Sequence, residues 1–362
     1  MKAQDGAGTQ EQIMKMLLHI GAHKTGSSSV QFFMHQNYAK LLDMGILYPQ
    51  SGISRFGHHP LALSCKPKQR QSEKVGLGLD GELDAILREI GSSPAERCVL
   101  SSEEFFVTDP QKIERVASAL SGHDVRILAF VRRPDTMFMS IYTGRLRKSN
   151  IAHTDYQRLL SKPEQISQDL LFERQINNWA RVFGRENIEL RCVETGDSVE
   201  AVMRAIGIEP MGPIGLELRE GLSRRNSSMP SEALTVLKLA KETIEDTTAF
   251  KRVQKYCRAQ IPAARSLPFL SPAERRQIVS YFEESNNRLF ASFGYSTNPY
   301  SVENLDVTND AEFFDLNHSP QARKILSEAV SDNRAKVRDT KRGIGGARGA
   351  LMAAWRYLTR TS

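Results

Sequence analysis

The sequence predicts a three-layer α/β/α fold: a central, mostly parallel sheet with helices on both faces, followed by a helical C-terminal part. Two observations predict it. Short apolar runs alternate with helically spaced apolar residues as far as Val193, the pattern of strands joined by helical crossovers. Beyond Gly221 the strand signal stops and only helical spacing remains.

The elements follow in order. Residues 1–12 are small and polar with little to bury, and a disordered leader is expected there. The main domain spans 13–295. Met16-Leu17-Leu18-His19-Ile20-Gly21 reads as a buried strand, followed by a turn rich in Gly and Ser. Val30, Phe33, Met34, Tyr38, Leu41 and Leu42 then recur at helical spacing until Gly45 ends the pattern. Residues 52–81 have no clear period, and an insert of that length is commonly a functional lid. Arg97–Ser101 is a second strand and Pro110–Leu120 a helix, with proline in the first turn where its missing N–H is harmless. Val125–Val131 is a third strand, and Pro134 opens a helix running to Lys148. Ile176–Phe183 reads as helix and Ile188–Val193 as strand. Helices at Ser231–Ile244, Phe250–Ile261 and Pro272–Phe290 form a cap over 222–295, then a linker at 296–330 and a basic tail at 331–362.

Composition narrows the function. The net charge is +7, yet residues 331–362 hold eight basic and two acidic side chains, so the rest of the chain is close to neutral. The high pI therefore describes a basic tail and does not argue for nucleic-acid binding by the main domain, and no nucleic-acid partner is expected. Within the tail, Leu351–Leu358 reads either as disordered chain or as a short basic amphipathic helix for peripheral membrane contact. No run approaches the about 20 apolar residues of a membrane span. Cys65, Cys98, Cys192 and Cys257 lie far apart, which suggests neither a zinc site nor a disulfide framework. Together with an apolar run at Met16–Ile20 too short for a signal peptide, this predicts a cytoplasmic chain.

The turn after the first strand is Gly21-Ala22-His23-Lys24-Thr25-Gly26-Ser27-Ser28-Ser29. A glycine-rich turn between a strand and a helix N-terminus gathers backbone N–H groups and the positive end of the helix dipole, so it suits an anion. The Gly21-to-Gly26 spacing matches the start of a Walker A loop, but Ser27 stands where that loop needs its lysine, and the lysine is at Lys24. The third strand ends in Arg132-Arg133, where a nucleoside triphosphatase would present an aspartate for magnesium. The turn is P-loop-like but built for phosphate without an obligatory metal.

Lys24-Thr25-Gly26-Ser27-Ser28 resembles the phosphosulfate loop of sulfotransferases that use 3′-phosphoadenosine 5′-phosphosulfate, in particular a bacterial branch. The same family carries a strand-end arginine followed eight residues later by a helical serine, and Arg132 and Ser140 stand in that relation. The resemblance spans residues 16–295. Arg224–Met229 is similar to a basic segment that closes over the nucleotide in that branch.

The resemblance implies roles. Thr25, Gly26, Ser27, Ser28 and Ser29 would cradle the 5′-phosphosulfate, with Lys24 stabilising the charge on the oxygen between phosphorus and sulfur. Arg132 and Ser140 would hold the 3′-phosphate, with Arg133 the neighbouring competitor. No metal is required, and the acceptor is expected to be a glycan. Glu103 is the leading candidate base, Glu104 the second, and His23, His58 and His59 are histidine alternatives. The acceptor is expected to lie against the 52–81 insert and the helix carrying Tyr142, Arg145 and Arg147. The rival readings are a nucleotide-dependent phosphotransferase with a degenerate P-loop and a non-catalytic nucleotide-binding relative.

Overall fold

The computed structural model describes residues 13–67, 76–147, 156–222, 233–234, 236–238, 240, 247–260, 270–306 and 327. The leader, the Arg224–Met229 segment and the basic tail with its expected membrane contact lie outside the described residues.

The chain opens with β1 (Lys15–His19), then α1 (Ser27–Gln36), α2 (Tyr38–Asp43), β2 (Ile46–Leu47), α3 (His59–Ser64), α4 (Gly78–Ser92) and β3 (Arg97–Ser101). It continues through α5 (Pro110–Ala119), β4 (Asp124–Val131), α6 (Pro134–Arg147), α7 (Tyr156–Ser161), α8 (Phe172–Phe183), β5 (Ile188–Cys192), α9 (Ser198–Ala205) and α10 (Pro213–Arg219). Helices Thr247–Gln260 and Pro272–Ser292 follow. No described helix is long and apolar enough to cross a membrane.

All five strands are parallel, in the order β2-β3-β1-β4-β5. Their side chains alternate between faces, as the two-residue period of a strand requires. Leu17, Val99, Leu128 and Phe130 join one buried cluster with Val30, Phe33 and Met34 of α1 and Val199, Val202 and Met203 of α9. Met16, Leu18, Cys98, Leu100, Ile127 and Ala129 are buried on the other face, where α8 packs on β4 and α5 packs on α8. The fold is therefore α/β with a wholly parallel central sheet. With β3 on one side of β1 and β4 on the other, successive crossovers diverge at the C-terminal end of β1, where open parallel sheets place their ligand crevice.

Two details depart from the sequence reading. The helix expected to run from Val30 to Gly45 breaks at Asn37, whose Nδ2 donates both to Phe33 O at 3.0 Å and to Leu218 O at 2.9 Å. That bond draws the side chain onto backbone carbonyls and ends α1, so α2 starts afresh. The insert at 52–81 is not patternless: it carries α3, and its end begins α4.

By packing, the chain divides into two compact units. The described residues within 1–133, 171–223 and 288–296 form the first, which holds the whole sheet. Those within 134–170, 224–287 and 297–362 form the second, built on α6 and α7. In the second unit the buried Asp135 accepts a hydrogen bond from Arg275 Nε at 2.8 Å, and Phe138, Tyr142 and Tyr156 pack ring to ring.

Candidate active site

Hydrogen bonds from Ile20 N to Leu128 O (3.0 Å) and Ala22 N to Phe130 O (2.9 Å) keep the chain on β4 past the end of β1. Only then does it turn, with Lys24 at φ 70° and Gly26 at φ 92°. A Cβ on Gly21 would meet His19 Nε2 and Thr25 Oγ1, each at 2.9 Å, so glycine is needed there for close approach. A Cβ on Gly26 would fall 2.7 Å from Ser198 Oγ, besides being strained at that φ.

The loop's carbonyls are held outward. Thr25 Oγ1 donates to Ala22 O at 2.5 Å, Arg132 Nη1 to Lys24 O at 3.0 Å, and Ser198 Oγ to Thr25 O at 2.7 Å. Every peptide here is trans, so the N–H on the far side of each plane points opposite to the clamped carbonyl. Among the described residues the N–H groups of Thr25, Gly26, Ser27 and Ser28 have no protein acceptor, and the buried hydroxyl of Ser27 has no partner either. Buried hydroxyls without partners are uncommon. Four unpaired N–H groups and an orphaned hydroxyl at a helix N-terminus match what a phosphate or phosphosulfate oxygen needs.

The division of labour differs from the sequence expectation at two residues. Thr25 is buried and gives its proton to the loop's own backbone, so its hydroxyl closes the turn. Ser29 N–H bonds Gly26 O at 2.9 Å, and the open donors run from Thr25 to Ser28. Lys24, Ser28 and Ser29 are exposed.

The two glutamates at the end of β3 are in unlike surroundings. Ser102 Oγ accepts Glu104 N–H at 3.1 Å and starts the short turn Glu103–Phe105. Glu104 Oε1 lies 3.2 Å from His23 Nε2, and its Oε2 lies 3.0 Å from Nζ of the buried Lys66. Burial alone would raise the Glu104 pKa, but the His23 hydrogen bond and the Lys66 charge override it and bring it down to about 2. Glu104 is thus committed to an ion pair as a permanent anion, which unsuits it to accept a proton near neutrality. Glu103 Oε2 accepts a bond from Gln31 Nε2 of α1 at 2.7 Å and sits 4.0 Å from His59 Nδ1. Among the described residues, its Oε1 accepts no hydrogen bond. Of the two carboxylates, Glu103 is therefore the one with an oxygen that accepts no hydrogen bond among the described residues.

The histidines separate by role. His58 Nδ1 accepts Ser101 N–H at 3.1 Å, so its proton sits on Nε2 and is donated to Pro49 O at 3.0 Å. Burial holds it neutral, with its pKa lowered to about 4, and it is a strut between the insert and β3. His59 Nδ1 is 2.8 Å from Ser102 Oγ and 4.0 Å from Glu103 Oε2. His23 holds Glu104. His19, beneath the loop, pairs Nδ1 with Ser101 Oγ at 2.8 Å, while its Nε2 has no partner among the described residues. Burial lowers its pKa to about 4, slightly opposed by the charge of Glu103.

The strand-end arginines also part. Arg132 reaches the loop, whereas the backbone N–H of Arg133 donates to Glu194 Oε1 at 2.8 Å. Ser140 is half-buried on α6 in the second unit, and its carbonyl accepts Thr143 Oγ1 at 3.3 Å. Tyr142, expected to line an acceptor pocket, is instead buried against Phe138 and Tyr156, while Arg145 is exposed. The side chain of Arg147 lies outside the described residues. Among the described residues no three His, Cys, Asp or Glu side chains gather into a metal-binding cluster.

Sequence reasoning missed Ser198, Gln31 and Lys66. Ser198 and Lys66 are far from the loop along the chain and belong to no motif, and the spacing of Gln31 within its helix carries no signal that it would reach Glu103.

No protein family's sequence profile matches the chain. No curated protein matches it either. Among solved structures, a sulfotransferase from Alicyclobacillus acidocaldarius aligns over 78% of this chain and 97% of its own, at 16% sequence identity and a TM-score of 0.45. A functional reading therefore has to stand on the residues of the loop and the strand ends.

Proposed function

We propose that this chain is a sulfotransferase that moves the sulfuryl group of 3′-phosphoadenosine 5′-phosphosulfate to a hydroxyl or amine of an acceptor, most suitably a carbohydrate hydroxyl. The observation that carries the reading is the loop. Its carbonyls are tied outward, its N–H groups from Thr25 to Ser28 and the Ser27 hydroxyl are open, and Arg132 touches it from β4.

In this reading the 5′-phosphosulfate oxygens take the open N–H groups and the Ser27 hydroxyl. Arg132, whose Nη1 is on Lys24 O, offers the rest of its fork to the 3′-phosphate. The acceptor oxygen attacks sulfur in line as the bond from sulfur to the bridging oxygen breaks. That electron pair stays on the 5′-phosphate of adenosine 3′,5′-bisphosphate, where Lys24 stabilises it. Glu103 takes the acceptor proton on Oε1, while Gln31 holds Oε2. The chemistry is largely one of positioning and charge stabilisation, as in phosphoryl transfer.

Two measurements test it. Isothermal titration with adenosine 3′,5′-bisphosphate in the absence of magnesium should give saturable binding. Transfer of labelled sulfate from the phosphosulfate donor, screened over glycans and small alcohols, should occur with the wild type and fail with Lys24→Ala. A strict need for ATP and magnesium would instead make the chain a phosphotransferase with a degenerate loop. Nucleotide binding without transfer to any acceptor would favour a non-catalytic relative.

A further inference from the structure

The third clamp on the loop comes from a part of the chain with no motif. After β5 a short turn leads to α9, where Asp197 caps the helix by accepting the N–H groups of Val199 at 2.7 Å and Glu200 at 3.3 Å. The apolar face of α9, Val199, Val202 and Met203, shares the buried cluster with Val30, Phe33 and Met34 of α1. That packing fixes the start of α9 against the start of α1. It brings the Ser198 hydroxyl to 2.7 Å from Thr25 O and close enough to Gly26 to exclude any side chain there.

We propose that Ser198 is a positioning residue for the 5′-anion socket: by holding the Thr25 carbonyl outward it turns the Gly26 N–H, on the opposite side of the same planar peptide, into the cavity. The inference rests on the phosphosulfate reading and adds to it a residue that makes no contact with the ligand itself. Each clamp has a separate origin, with Thr25 in the loop, Arg132 at the end of β4 and Ser198 at the start of α9. The donors are then set before the anion arrives, which is where preorganised sites gain over flexible ones. Arg132 cannot isolate this effect, since its fork is also expected to meet the 3′-phosphate. Ser198 can.

The test compares two probes, adenosine 3′,5′-bisphosphate and adenosine 3′-monophosphate, titrated calorimetrically into the wild type, Ser198→Ala and Ser198→Cys. The cysteine fills similar space with a weak donor. Both variants should weaken the bisphosphate by about tenfold, the worth of one misdirected hydrogen bond to a charged group, and leave the 3′-monophosphate within about twofold. A bisphosphate affinity within about twofold of wild type in either variant overturns the inference. So does an equal weakening of both probes, which marks a general loss of fold. If the wild type itself fails to bind the bisphosphate, the phosphosulfate reading falls first and takes this inference with it.

Discussion

Replacing Glu104 by glutamine tests the electrostatic division between the two strand-end carboxylates. The perturbation removes one charge and leaves the side-chain shape. Glu104 is held at about 2 against an ordinary 4.5, and at about 1.4 kcal/mol per pH unit that gap is worth roughly 3 kcal/mol of folding free energy. A quarter of the side chain is exposed, so solvent screening makes this an upper value. The sign follows from the direction of the shift. A carboxylate depressed in the folded state contributes fully above its unfolded pKa and loses that contribution as pH falls from 4.5 through about 2. Urea unfolding of wild type and Glu104→Gln should therefore differ by up to roughly 3 kcal/mol near neutrality, and by only about 1 kcal/mol near pH 3. The m-values should stay equal. A difference that does not change between the two pH values would refute the ion-pair account and reopen Glu104 as a candidate base.

Other expectations follow from the same geometry. Lys24 is left-handed at φ 70°, a conformation glycine adopts freely, so Lys24→Gly should be about 1 kcal/mol more stable than Lys24→Ala by urea unfolding although both lose transfer. Equal stability of the two would show that the loop does not hold this backbone in solution. Gly26→Ala should cost more than about 2 kcal/mol and abolish bisphosphate binding, since it adds a Cβ at a positive φ. Combining it with Ser198→Gly should recover the steric part, because Ser198 is the side chain that the new Cβ meets. Glu103→Gln should lower sulfuryl transfer by about 10²- to 10⁴-fold while leaving the bisphosphate Kd within about threefold. Unchanged transfer would transfer the role of base to His59 or another group.

The parallel sheet was legible in the chain because its strands, such as Leu17-Leu18 and Ile127–Val131, are buried on both faces and read as unbroken apolar runs. The turn between β1 and α1 was legible too, since a strand, a turn of glycine and serine, and a helix are contiguous along the chain. The two residues of β2 were not, being too short to show any period. Nor was the break at Asn37, which depends on a carbonyl at Leu218 that only folding brings near.

At the site, local sequence supplied Gly26, Ser27, Lys24 and the pair Glu103-Glu104, because a motif records which groups stand next to one another along the backbone. It put Glu103 ahead of Glu104 without the physical reason that separates them. Their difference lies in Lys66 and His23 beside one and Gln31 beside the other, contacts made by segments far apart in the chain. The same holds for the direction in which the loop's N–H groups point. Sequence provides the donors, but Arg132 and Ser198, brought in by β4 and α9, fix the peptide planes that aim them. A backbone torsion is set by what its carbonyl can bond, and here those partners exist only in the folded chain.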